Sequence, residues 1–200
     1  MILSHKLGLI FIKTKKAASS SVETYLQPLL DEGEAINWGV HQKHGGLYNH
    51  TSVSELKYRS SVGHLWHQYF TFTIVRHPME RLISEYFWSN RKGAYRDFDH
   101  FIGGNHVGGT LNWPLIVDGT VVADFDYIVR YEHLYEDLRV VFSLLGVKCS
   151  WLDSEFPKEK SNIRKDRRPW YEFMSAQQYL KFKNRFPAEI SIHRELGYHL

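Results

Sequence analysis

The stretch Leu7–Ser21, LGLIFIKTKKAASSS, decides the fold. Its first six residues are a continuous apolar run, Leu7–Ile12, with no polar alternation. Such a run suits a strand buried on both faces, as in a parallel sheet. A lysine-rich turn follows at once, and then three serines open a helix predicted over Ser19–Leu30, with Val22, Tyr25, Leu26 and Leu29 along one side. A buried strand, a basic turn and a helix start in this order form an anion site. The first backbone N–H groups of a helix have no partner within it, its N-terminus carries partial positive charge, and the lysines and hydroxyls lie alongside. The segment Lys13–Ser21 (KTKKAASSS) would therefore hold a phosphate group. It contains no glycine, so it is not a Walker A loop, which needs G-x-x-x-x-G-K-[ST].

The same grammar recurs downstream. Tyr69–Arg76 (YFTFTIVR) is rich in aromatic and β-branched residues and is predicted as a strand. Pro78 then fits the first position of a helix whose apolar stripe is Leu82, Ile83, Tyr86 and Phe87. Arg76 ends the strand and Ser84 lies on the helix, so a guanidinium and a hydroxyl can converge on a second phosphate. Further along, Ser52-x-x-Glu55 and Ser175-x-x-Gln178 read as capping boxes. Asp118-Gly119 between apolar runs signals a hairpin. Phe125–Arg130 reads as a strand, and Glu132–Leu145 as a helix stopped by Gly146. Residues 92–113, with two Gly-Gly pairs, read as irregular. Strands alternating with helices argue for an α/β fold around a mostly parallel sheet, whose ligands sit beyond the carboxyl ends of the strands.

Composition narrows the classes. The 200 residues are 43% hydrophobic and 15% aromatic, which suits a folded domain and not a disordered chain. A single cysteine, Cys149, excludes an intrachain disulfide and a cysteine-rich zinc site. A net charge of +3 permits an anionic ligand without indicating a nucleic-acid binder. Signal-peptide and membrane-spanning patterns are not seen, so the expected location is cytoplasmic.

Taken together, the two basic segments resemble the sulfotransferases that use 3′-phosphoadenosine 5′-phosphosulfate (PAPS), especially those of the carbohydrate or Golgi type. The first motif of that family reads like P-K-T-A-[GS]-T-S, and here it is Lys15-Lys16-Ala17-Ala18-Ser19-Ser20-Ser21. The second reads like V-R-[ND]-P-x-x-R-L-x-S-x-Y, and here it runs from Val75 to Tyr86 (VRHPMERLISEY). Asp126–Leu134 (DYIVRYEHL) resembles the family's D-x-I-x-R-x-E-x-L, and Gly197-Tyr198 its closing G-Y. Lys15 stands where proline is usual, Ala17 replaces a hydroxyl residue, and His77 replaces Asn or Asp. The register against Ala18 and Ser20 selects Lys16 among the three lysines.

The resemblance implies a P-loop-like three-layer α/β fold, with a central mostly parallel sheet flanked by helices. It implies one sulfotransferase-like domain over 1–200, with an irregular insertion at about 92–124. It also implies in-line transfer of a sulfuryl group from PAPS to a hydroxyl, on a carbohydrate by family type, leaving 3′,5′-bisphosphoadenosine. Lys16, Ala17, Ala18, Ser19, Ser20 and Ser21 would hold the 5′-phosphosulfate, and Arg76 and Ser84 the 3′-phosphate. Lys16 would neutralise charge on the leaving oxygen. No metal is demanded, because a sulfuryl group carries less negative charge than a phosphoryl group. Neither nucleic acid nor a membrane is an expected partner.

Relatives place a histidine or glutamate base ahead of the second motif. The candidates here are His41, His44, His50, His64 and His67, with His50 preferred for its Asn49-His50-Thr51-Ser52 context and His44 next. Arg164, Lys165, Arg167 and Arg168 lie in a region that relatives close over the nucleotide. Trp38, Trp66, Trp88 and Trp113 could offer stacking faces to a sugar. Two alternative functions remain. One is a non-catalytic binder of sulfated or phosphorylated glycans. The other is a P-loop kinase, disfavoured by the missing glycines.

Overall fold

A computed structural model describes residues 1–36, 46–104, 113–117, 121–149, 156–159 and 161–199. The chain divides into two compact units, Met1–Val75 with Pro114–Glu159, and Arg76–Trp113 with Lys160–Leu200.

The first unit is the α/β unit. Its sheet has four strands in the order β1 (Ile2–Ser4), β2 (Leu9–Ile12), β3 (Phe70–Val75) and β6 (Tyr127–Arg130). β2, β3 and β6 run parallel, with Ile12 opposite Thr73 and Val75 opposite Arg130, so their carboxyl ends share one edge. A separate antiparallel pair, β4 (Ile116–Val117) and β5 (Val121–Val122), flanks the expected hairpin, whose Asp118-Gly119 turn lies outside the described residues. The fold is α/β with a mostly parallel sheet and flanking helices, as the sequence indicates.

β2 is buried along its whole length, which matches its unbroken apolar run. The run does not form one strand from Leu7, however. Gly8 takes a left-handed φ of 57°, and the chain turns back so that β1 pairs antiparallel with β2, Ser4 opposite Leu9. Only glycine adopts that φ at little cost. Helix α1 (Ser19–Leu26) ends earlier than its apolar pattern, because Pro28 cannot donate to the helical ladder and the chain tightens into a 3₁₀ turn at Gln27–Leu29. Its Val22, Tyr25 and Leu26 pack with Leu9, Phe11 and Phe72 of the sheet and with Leu138, Val141 and Phe142 of α5 (Leu134–Leu144). Phe11 stacks on Phe72 at 4.4 Å and Tyr25 on Phe142 at 4.7 Å. Helix α2 (Val53–Arg59) begins at the expected capping box, with Ser52 and Glu55 each bonding the other's backbone N–H.

The second unit is helical. It contains α3 (Pro78–Ser89), α4 (Phe98–Gly103), a single turn α6 (Trp170–Phe173), α7 (Ala176–Arg185) and α8 (Pro187–Glu195). Its core joins Met79, Leu82 and Ile83 of α3 to Phe98, Phe101 and Ile102 of α4, Phe182 of α7 and Ile190 of α8. Pro78 opens α3, and Ser175 with Gln178 caps α7, both as expected. Helix α4 lies in the stretch read as irregular. Asp97 caps it by accepting from the His100 N–H at 2.7 Å, and its buried Phe98, Phe101 and Ile102 give too short a pattern to read as periodic. Among the described residues, no helix is long and apolar enough to cross a membrane.

Candidate functional site

The turn between β2 and α1 is built by its own side chains. Thr14 Oγ1 donates to the Ile74 carbonyl on β3 at 2.5 Å, which fastens the turn to the neighbouring strand. Ser19 Oγ donates back to the Thr14 carbonyl at 2.8 Å and closes the loop across its base. Ser21 Oγ accepts from the Glu159 N–H at 3.1 Å. Two of the three serine hydroxyls are thus buried in the scaffold, and Ser20 is the half-exposed one. The sequence alone sets all three around one volume; packing sorts them.

The lysines are sorted in the same way. Lys13 is buried, and its ammonium lies 2.5 Å from Glu23 Oε2 on α1. Lys15 and Lys16 are half-buried. Lys13 therefore serves the strand-to-helix joint, while Lys16 sits in the left-handed part of the turn. Lys16 has φ 60° and Ala18 φ 57°, both left-handed. Ala18 is the N-cap of α1 and supplies no side-chain cap, so no side chain of its own covers the helix start. Left-handed φ at residues with a Cβ is costly and persists where the surroundings enforce it, commonly at functional loops.

This geometry predicts opposite effects of two substitutions. Ala18→Val should lower stability by about 1–3 kcal/mol, since a β-branched side chain tolerates this conformation worst. Ala18→Gly should leave stability unchanged or slightly higher, because relief of strain is offset by a more flexible unfolded chain. Urea unfolding of both variants checks this. Equal stability of the two would show that residue 18 is not held left-handed.

His50 stands just before α2, and its Nδ1 lies 2.9 Å from the Lys13 carbonyl. A carbonyl can only accept, so Nδ1 carries the proton and Nε2 keeps its lone pair. Burial pulls the imidazole down to about 4, with the charges of Lys13 and Lys15 acting the same way. The ring is therefore neutral at pH 7, in the tautomer a proton acceptor requires. His41 and His44, like Trp38, lie outside the described residues. His64 and His67 sit in a 3₁₀ turn. Among the described residues, no group of three or more His, Cys, Asp or Glu could hold a metal ion.

Arg76 and Ser84 belong to the helical unit. Arg76 follows the last residue of β3, and its guanidinium lies 3.6 Å from Glu80 Oε2 one helical turn on. The same carboxylate is bonded by Arg164, and its other oxygen accepts from the Trp170 N–H at 2.8 Å. Two guanidiniums thus meet one carboxylate in a largely buried place. Arg164 is the member of the basic loop that the sequence did not separate from its neighbours. Arg168 instead pairs with Asp166 at 2.7 Å, and Arg167 donates to the Ser161 carbonyl at 2.8 Å. The four-residue spacing of Arg76 and Glu80 signals that pair, whereas Arg164 meets Glu80 from 84 residues away, beyond any local pattern. Ser84 is half-buried on α3, three residues after the fully buried Arg81.

The remaining motif residues are structural. Asp126 Oδ2 accepts from the Thr71 N–H at 2.7 Å and from its hydroxyl at 2.9 Å, pinning β6 to β3. Trp66 is buried, with its indole N–H 3.4 Å from Asp124. Trp88 is covered by the Arg91 guanidinium at 3.5 Å, and the Trp113 side chain lies outside the described residues.

The structure joins a mostly parallel α/β sheet to a glycine-free lysine–serine turn at a strand's carboxyl end, and that turn lacks the Walker A pattern. The chain belongs to the sulfotransferases: a family model described as "Sulfotransferase family" matches residues 1–106, more than half of its length. The matched span contains the Lys13–Ser21 turn, His50, Arg76 and Ser84. No curated protein and no solved structure matches the chain significantly.

Proposed function

We propose that this sulfotransferase takes PAPS as its donor and a carbohydrate hydroxyl as its acceptor. The observation that carries the reading is the joint made by His50 and Lys13. One carbonyl orients the His50 ring, and the same short turn carries Lys16 and leads into α1. A proton acceptor and an anion-binding turn are thereby built as one piece.

The residues fit a phosphosulfate group. Lys16 brings a cation, and the first-turn amides of α1 point out of the helix end. PAPS supplies an activated sulfuryl group whose departure leaves negative charge on a 5′-phosphate oxygen. Lys16 neutralises that charge, which favours the transition state over the ground state. His50 Nε2 takes the proton of the acceptor hydroxyl. Residues Lys16–Ser21 hold the 5′ group, and Arg76 with Ser84 holds the 3′-phosphate. The carbohydrate acceptor rests on the likeness of the Val75–Tyr86 motif to the carbohydrate-type enzymes.

Nucleotide preference tests the assignment. Wild-type protein should bind 3′,5′-bisphosphoadenosine more tightly than 5′-AMP and gain little from the γ-phosphate of ATP. A charge-assisted contact to phosphate is worth about 1.5–3 kcal/mol, or roughly ten- to a hundredfold. Arg76→Ala should erase most of the preference while leaving 5′-AMP binding unchanged, as read by calorimetry. Tighter binding of ATP with magnesium than of the bisphosphate would overturn the reading in favour of a kinase. Binding of polyanionic glycans but of no nucleotide would favour a non-catalytic module.

A further inference from the structure

The closing Gly197-Tyr198 and the helix before it have no role in the chemistry described so far, yet they surround the Arg76 turn. His193, on α8, is fully buried. Its Nδ1 lies 2.7 Å from the Glu189 carbonyl in its own helix, and its Nε2 lies 3.1 Å from the carbonyl of Arg76. The Tyr198 N–H donates to the His193 carbonyl at 2.9 Å, and the Tyr198 ring meets both the His193 ring, at 5.5 Å, and the His77 ring, at 5.8 Å. His77 in turn stacks on Trp170 at 5.2 Å. The two-residue turn that passes the chain from β3 to α3 is therefore gripped from the C-terminal segment, at its backbone and at its ring.

We propose that His193 is a positioning residue for Arg76: its Nε2 holds the Arg76 carbonyl and so sets where the guanidinium presents itself to the 3′-phosphate. The inference rests on the assignment of Arg76 to that phosphate. A neutral imidazole has a single N–H for these two carbonyls, and the positioning role requires it on Nε2, donating to the Arg76 carbonyl just past the end of β3. The geometry of this site makes that donor a side chain from more than a hundred residues away. Glu80 and Arg164 constrain the guanidinium end of Arg76, and His193 constrains its backbone end. Both ends must be held for a fork of N–H groups to meet phosphate oxygens in register.

Each ring nitrogen can be replaced separately. An asparagine amide reaches the position of Nδ1 and keeps the contact to Glu189. A glutamine amide reaches the position of Nε2 and keeps the contact to Arg76. His193→Asn should weaken binding of 3′,5′-bisphosphoadenosine on the order of five- to tenfold, the scale of one hydrogen bond, while the Kd for 5′-AMP stays at the wild-type value. His193→Gln should retain the wild-type preference for the bisphosphate. The 5′-AMP titration also reports that each variant is folded. A helix-stabilising role alone predicts the reverse order, with asparagine tolerated and glutamine impaired. That order, or wild-type bisphosphate binding in both variants, would overturn the proposal. Arg76→Ala run in parallel separates the two readings. If it keeps the bisphosphate preference, the assignment of Arg76 fails. If it loses the preference while His193→Asn does not, only the role of His193 fails.

Discussion

Lys16→Ala should slow sulfuryl transfer on the order of a hundredfold or more, with the fold intact and substrate binding much less affected. The reason is where the charge appears. A cation facing the leaving oxygen gains most when that oxygen becomes anionic, so its removal raises the barrier more than it weakens the ground-state complex. Single-turnover transfer rates, wild type against mutant, measure this directly. Lys13 is no substitute, because its ammonium is buried and lies 2.5 Å from Glu23. Lys15 is half-buried beside Lys16 and is the control: Lys15→Ala should stay within a few-fold of wild type. A Lys16→Ala rate within a few-fold of wild type would remove the role from Lys16.

His50→Ala should lower turnover by about 10²–10⁴-fold, the range typical of a positioned general base, without changing nucleotide affinity. The acid limb of the wild-type profile carries a second signature. Burial holds the imidazole near 4, below its ordinary value of 6.5, so activity should persist through pH 6 and fall as the pH approaches 4. An acid limb near 6.5 would mean that His50 is not the base. Stability shifts in the same direction. The unfolded chain takes up this proton first as pH falls, so the contribution of His50 is complete above about pH 6.5 and is lost between there and about pH 4. His193, also lowered to about 4 by burial, adds to the same loss. Turnover must therefore be compared with a fluorescence measure of folding at each pH, so that an unfolding limb is not mistaken for a titrating base.

Much of this protein was legible in its sequence, for reasons of local physics. An unbroken apolar run makes β2 a doubly buried strand, Pro78 marks the first residue of α3, and Ser52 with Glu55 and Ser175 with Gln178 cap their helices. Each signal is a steric or hydrogen-bonding preference that acts within a few residues. The two motifs around Lys16 and Arg76 are legible for the same reason, since a strand, a basic turn and a helix start are contiguous in the chain.

What local patterns leave open is which of several like residues the scaffold takes up, because that is decided by distant neighbours. Lys13 differs from Lys16 because Glu23 lies on the face of α1 that Lys13 reaches. Ser19 and Ser21 are buried, bonded to the Thr14 carbonyl and the Glu159 N–H, while Ser20 is half-exposed. Arg164 differs from Arg167 and Arg168 because Glu80 meets it. His50 gains its tautomer from the carbonyl of Lys13, and the Arg76 carbonyl meets the His193 ring from the far end of the chain. The chain by itself determined the α/β framework, the basic strand-to-helix turn and the sulfotransferase family, since these follow from contiguous patterns of polarity and shape. Tertiary structure decided which of these side chains the scaffold takes up: Lys13 through Glu23, Ser19 through the Thr14 carbonyl and Ser21 through the Glu159 N–H. Side chains of the same type have the same local preferences, and only burial and a partner brought in from elsewhere in the chain can tell them apart.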